Sequence, residues 1–111
     1  MKASIFLALA GLPTAPTARY TRGAPFATVM ASGTMRVEVF APRGVDLQTP
    51  HTQDELYFVQ CGTGEIVING QRFDAAAGDA FFVAAHVEHR FENFSKDFVT
   101  WVVFYGPPGG E

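Results

Sequence analysis

Apolar and polar residues alternate with a period of two along much of this chain, the pattern of strands with two unlike faces. Met35, Val37 and Val39 share one side of a segment whose other side holds Arg36, Glu38 and Phe40, predicting a strand with one apolar and one mixed face. The β-favouring run Glu55-Leu56-Tyr57-Phe58-Val59-Gln60 predicts a second strand, and the glycines of Cys61-Gly62-Thr63-Gly64 predict a tight reversal after it. Glu65 to Ile68 and Gln71 to Phe73 flank Asn69-Gly70, the dipeptide best suited to a type I′ hairpin because both central residues need positive φ. Ala80 to Ala84 and Phe98 to Tyr105 predict two more strands, the last (FVTWVVFY) bulky on both faces and so covered on both. Turn signals at intervals of about ten residues make this an all-β domain of the sandwich, jelly-roll or small-barrel kind.

Ahead of the strands, residues 4–12 read SIFLALAGL and fit two segments. One is a short amphipathic helix opening at Ser4 and stopping at Gly11 and Pro13. The other is a secretory signal peptide with Lys2 as its basic start and small residues around Ala15 and Ala18. The proline-bearing segment Leu12 to Pro25 reads as an extended crossing, so residues 1–25 form a helix and arm and residues 26–111 a single barrel domain. The tail Gly106-Pro107-Pro108-Gly109-Gly110 holds no regular element.

Composition narrows the partners. With 48% hydrophobic and 17% charged residues in 111, the chain has the material for one folded core. A net charge of −3 and no dense basic run argue against nucleic acid. The N-terminal apolar run is shorter than the roughly 20 residues that span a bilayer, so no membrane partner is expected. The single cysteine, Cys61, closes no internal disulfide, which makes the cytoplasm the expected compartment. Continuing the parity of Tyr57 and Val59, Cys61 reads as a small buried hydrophobe.

Three histidines carry the candidate chemistry. His51 and Glu55 are an even number of positions apart and share a face if the backbone is extended, and His89 meets them if its strand is a neighbour. Two imidazoles and a carboxylate suit a first-row divalent metal and leave positions open for substrate. Gln53 shares their parity and reads as a weak ligand, a hydrogen-bond partner of a ligand, or a turn residue. Thr49 reads as a partner of metal-bound water or a strand start. Tyr57 points inward nearest the metal, to orient substrate or to cap a core network. Arg36 and Arg90 are the cations a carboxylate substrate would seek, and Phe91 joins Tyr57 and Arg36 as a candidate pocket residue. His86 falls on the opposite parity and reads as a rim or surface residue, while Asp54 and Glu88 adjoin the ligands but point to the other face and read as solvent-facing or as supports for the ligands rather than as acid or base. No dinucleotide fingerprint, phosphate loop or HExxH helix is present.

These residues resemble the cupin family, whose first motif is G(X)5HXH(X)3-4E(X)6G and second G(X)5PXG(X)2H(X)3N. The first reads here Gly44-VDLQ-Thr49-P-His51-TQD-Glu55-LYFVQC-Gly62, the second Gly78-DAFFV-Ala84-A-His86-VE-His89-RFE-Asn93. Thr49 stands where the family has its first metal-binding histidine, Gly44 precedes it by one residue fewer than usual, and Ala84 and His86 replace the proline and glycine. The resemblance, covering about residues 34–105, implies a small antiparallel β-barrel or jelly roll with a divalent ion (Fe, Mn, Ni or Zn) on His51, Glu55 and His89. It also implies a homodimer paired through the flat outer face of one sheet. Activity expectations are a dioxygenase or isomerase acting on a small oxygen-rich substrate, with non-catalytic binding of a sugar or other small ligand, or a vestigial site, as alternatives.

Overall fold

The computed structural model describes residues 1–111. Its chain order is helix α1 (Ile5–Ala10), then strands β1 (Phe26–Ser32), β2 (Met35–Phe40), β3 (Asp54–Cys61), β4 (Thr63–Ile68), β5 (Gln71–Ala76), β6 (Ala80–Val83), β7 (His89–Glu92) and β8 (Val99–Tyr105). The strands form two antiparallel sheets, one ordered β1-β2-β8-β3-β6 and the other β5-β4-β7. The domain is an all-β barrel of two facing sheets with one short helix. No helix is long and apolar enough to cross a membrane.

Side-chain alternation decides which residues meet between the sheets. Glu55, Tyr57 and Val59 of β3 lie beside Phe104, Val102 and Thr100 of β8, all pointing inward. Across the gap they meet Ile66, Ala75 and Phe91 of the smaller sheet, and together with Phe40, Val83 and Phe98 these form the main core. Each large apolar side chain buried there contributes roughly 1.5–3 kcal/mol. On β2 it is the mixed face, Arg36, Glu38 and Phe40, that lies beside Phe104, Val102 and Thr100 and turns inward. The apolar face turns outward instead, where Val39 joins Ala41 and Val99 in a second cluster under α1. Ala8, Ile5 and Leu9 dock there, while Phe6 and Leu7 stay 80% and 78% exposed.

The Asn69-Gly70 hairpin forms as the sequence predicts, with φ of 49° and 80° and Ile68 paired to Gln71. The turn at Gly62 differs from the expected reversal. β3 and β4 lie in different sheets, and the chain crosses between them so tightly that a Cβ on Gly62 would lie 2.7 Å from the Phe98 Cα. A bulge between Val59 and Cys61 breaks the alternation, so Cys61 is exposed beside Asp97 and not buried. Two strands escaped the pattern: β1 (FATVMAS) carries small and polar residues without clean alternation, and β7 (HRFE) is very short.

Candidate metal centre

Three elements deliver the site. Glu55 sits on β3 in the larger sheet, His89 opens β7 in the smaller one, and His51 lies in the segment entering β3. Their ligand atoms all fall within 4.8 Å of one another. Glu55 and His89 are sealed from solvent, at 1% and 3% exposure, and His51 is half-buried. The turn between β6 and β7 is pinned to this end of the barrel: the Ala85 N–H donates to Asp54 and the His86 N–H to the His51 carbonyl, at 2.9 and 2.7 Å. His86 takes a φ of 66°, the left-handed conformation for which the family motif uses glycine.

Hydrogen bonding around His89 defines what the site holds. Its Nδ1 lies 2.8 Å from the Val87 carbonyl, which only accepts, so Nδ1 carries a hydrogen. Nε2 then faces three oxygens: Glu55 Oε1 at 2.7 Å, the Tyr57 hydroxyl at 3.0 Å and Gln48 Oε1 at 3.1 Å. The Tyr57 hydroxyl can donate to a neutral Nε2, but the Glu55 and Gln48 oxygens only accept, so the position favours a cation, either a proton or a metal ion. Beside it, Glu55 Oε2 is buried with no hydrogen-bond partner. An orphaned carboxylate oxygen costs stability in a protein that leaves it so, and fits a site built to ligate.

Charges follow the same logic. Burial works against the imidazolium of His89, but the hydrogen bond and charge of Glu55, with the Val87 carbonyl and Asp46, outweigh it and raise the pKa. His51 goes the other way, held low by burial against the pull of Glu55, which favours the neutral, ligating imidazole. Burial, with the charges of Glu55 and Asp46, keeps the Tyr57 hydroxyl well above its ordinary pKa, so it stays a neutral donor to Gln48 Oε1 at 2.8 Å.

A cavity of about 460 Å³ opens beside the cluster, within the usual range for small-molecule sites. His51, Gln48, Tyr57, Arg36 and Glu38 supply its polar groups. The Phe104 ring lies between two of them, with the Arg36 guanidinium 4.5 Å from its centroid and the His51 ring edge-on at 4.8 Å. Burial raises the pKa of Glu38 despite Arg36, whose Nε donates to it at 3.0 Å. One wall comes from the N-terminal arm, at Thr17, Ala18, Arg19 and Tyr20.

Four sequence candidates sit elsewhere. Gln53 donates its amide to the Thr34 and Gly106 carbonyls, tying the strand to its neighbours' ends in place of the metal role. Thr49 is exposed and outside the cavity wall, and so is Arg90, which pairs with Glu92. Phe91 is fully buried behind Tyr57, edge-on at 5.0 Å, and packs the core rather than lining the cavity. Gln48, Asp46, Glu38 and the arm residues were not singled out in the sequence. The inward alternation of β2 is a signal for Glu38, whereas Asp46 and Gln48 lie in an irregular segment without periodicity.

The family model described as a cupin domain matches residues 36–105. The chain belongs to the cupin family. An uncharacterized protein of Streptomyces coelicolor is 40% identical to this cupin over 62 residues, 56% of this chain and 59% of that protein's length. Among solved structures, KdgF from a Halomonas species superposes with a TM-score of 0.63 at 21% identity, covering 71% of this chain and 74% of that one. A cupin 2 conserved barrel domain protein from Salinispora arenicola gives 0.63 at 19%, covering 73% and 74%. The DMSP lyase DddQ from Ruegeria pomeroyi gives 0.57 at 20%, covering 70% of this cupin and 41% of that chain. At these identities the structural likenesses establish the fold.

Proposed function

We propose that this cupin is a metal-dependent enzyme acting on a small, oxygen-rich carboxylate, with His51, Glu55 and His89 holding a divalent Fe, Mn, Ni or Zn ion. The observation that carries the reading is the buried Glu55 carboxylate with one oxygen unpartnered beside a His89 Nε2 ringed by oxygens. Bound there, such an ion supplies Lewis acidity toward a carbonyl or carboxylate oxygen. Arg36 engages Glu38 through Nε and offers its terminal nitrogens to a substrate carboxylate. Glu38, its pKa raised by burial, is placed in the same cavity to take or give a proton. The arm residues Arg19 and Tyr20 close one side against water. A proton-moving carboxyl facing the substrate favours isomerisation or elimination beside a carbonyl over oxygenation.

The test is elemental analysis of protein purified without a metal-affinity tag, beside a folded His51→Ala, His89→Ala double variant. Near-stoichiometric metal in the parent and none in the variant supports the reading; a parent that also refuses added metal overturns it. The aromatic wall of Tyr20, Phe26, Phe40 and Phe104 favours a second reading, non-catalytic binding of a sugar or similar ligand, which predicts affinity that survives chelation.

We expect the working unit to be a homodimer. A continuous outward-facing apolar row, Met30, Val37, Val103, Leu56 and Phe82, crosses all five strands of the larger sheet. Beyond the edge of α1 this face leaves Phe58 and Phe82 43% and 51% exposed.

A further inference from the structure

The cupin motif's first ligand position is occupied by Thr49, which faces solvent. Accepting the metal site proposed above, we infer that Gln48 supplies the fourth protein donor through its side-chain amide oxygen. Two residues upstream, Asp46 is buried. Its carboxylate accepts the Gln48 backbone N–H at 3.0 Å, the Phe91 N–H of β7 at 2.8 Å, and the Gln48 Nε2. A carboxylate only accepts, so the nitrogen end of the Gln48 amide must face Asp46, and a flipped amide would set oxygen against oxygen. The oxygen end therefore faces the metal cluster.

There Oε1 lies 2.8 Å from the Tyr57 hydroxyl and 3.1 Å from His89 Nε2. Its two lone pairs divide accordingly: one accepts the Tyr57 O–H and the other points into the space shared by His89 and Glu55. The bond to Phe91 ties the segment carrying Gln48 to the strand that carries His89, so donor and ligand are held by one strut. This is the arrangement by which outer groups fix and orient a ligand. Replacing an imidazole by a neutral amide oxygen gives two nitrogen and two oxygen donors, a harder set that raises the relative preference for Mn over Zn or Ni.

The test uses the full-length protein and Mn²⁺ alone, following free Mn²⁺ by its EPR signal, with the visible absorption of the Co²⁺-loaded protein as a second readout. Gln48→Ala is expected to weaken Mn²⁺ binding by about tenfold or more, the scale seen for perturbed metal sites, and to change the Co²⁺ spectrum. Gln48→Met keeps the side-chain length for packing while its soft sulfur is a poor Mn²⁺ ligand, and it is expected to lose affinity similarly. Thr49→Ala, at a position that faces solvent, is expected to stay within about threefold of the parent, well short of that loss. Gln48 variants that bind Mn²⁺ like the parent overturn the inference, as does a Co²⁺ spectrum unchanged in Gln48→Ala, because Gln48 would then not touch the ion. A parent that takes up no ion overturns the metal reading itself, and this inference with it.

Discussion

Glu55→Gln separates what the site costs the fold from what it does for a metal. The substitution keeps the shape of the side chain and removes one negative charge from a position that is 1% exposed. Breaking a buried ion pair is ordinarily severe, because it strands a charge. Here the partner can avoid that fate: without Glu55 the cause of the raised His89 pKa is gone, and at about pH 7.5 an ordinary imidazole is neutral. The new amide N–H donates to the bare Nε2, and the orphaned atom at the Oε2 position becomes a neutral carbonyl in place of a carboxylate oxygen. Unpaired buried groups cost about 1–3 kcal/mol, more when charged, so the metal-free variant should gain about 1 kcal/mol. Unfolding entropy for 111 residues is about 0.23 kcal/mol/K, which turns that gain into a Tm rise of about 4 °C.

Metal reverses the ranking. At a concentration of about 100 Kd the parent gains about 2.7 kcal/mol, or about 12 °C, whereas a site weakened about 100-fold gains under 2 °C. The assay is thermal unfolding of parent and variant, each with chelator and with Mn²⁺. A metal-free variant that melts several degrees below the parent refutes the claim that Glu55 is held at a cost to stability; a variant with the full metal-induced shift refutes its role as ligand.

Further outcomes follow from the same geometry. Metal uptake should release a proton from His89, so Mn²⁺ affinity falls as pH drops through that residue's raised pKa, while the lowered pKa of His51 keeps it from adding a second proton until lower pH; indicator-dye titration of released protons measures this. In the metal-free protein the two histidines act oppositely. The stability from His89 is full below its unfolded pKa and fades as pH rises through the folded one, whereas His51 costs stability below its unfolded pKa, so Glu55→Gln should lose stability relative to the parent as pH falls below about 6.5 in denaturation series. Gly62→Ala should cost at least about 2 kcal/mol by urea denaturation, because φ is +85° and the new Cβ meets Phe98 backbone atoms at 2.7 and 2.8 Å. Light scattering should give twice the chain mass for the parent and one chain mass for Phe58→Glu, Phe82→Glu, which places charge on the exposed sheet face.

Much of this protein is legible in local order. Alternation and the Asn69-Gly70 dipeptide are properties of neighbouring residues, and they specify strands and a hairpin wherever the period holds. The motif spacing likewise names His51, Glu55 and His89, whose ligand atoms come together, although His51 lies ahead of β3 and is brought to Glu55 by the fold rather than by alternation. Tertiary structure alone decides the rest. Period two says that β2 has two faces but not which is inside, and only the packing of α1 over Val39 turns Arg36 and Glu38 into the cavity. The bulge that exposes Cys61 is a mismatch between β3 and β8, residues apart in the chain. Gln48 and Asp46 sit in a segment with no periodicity to read, and their orientation is set by a hydrogen bond to Phe91, far along the chain. Thr49 and Gln53 share the motif position or the parity, but both precede β3 and the chain bends at residues 52 and 53, so strand alternation does not reach them. A side chain's direction follows from the sequence only where the backbone repeats; elsewhere distant partners choose it.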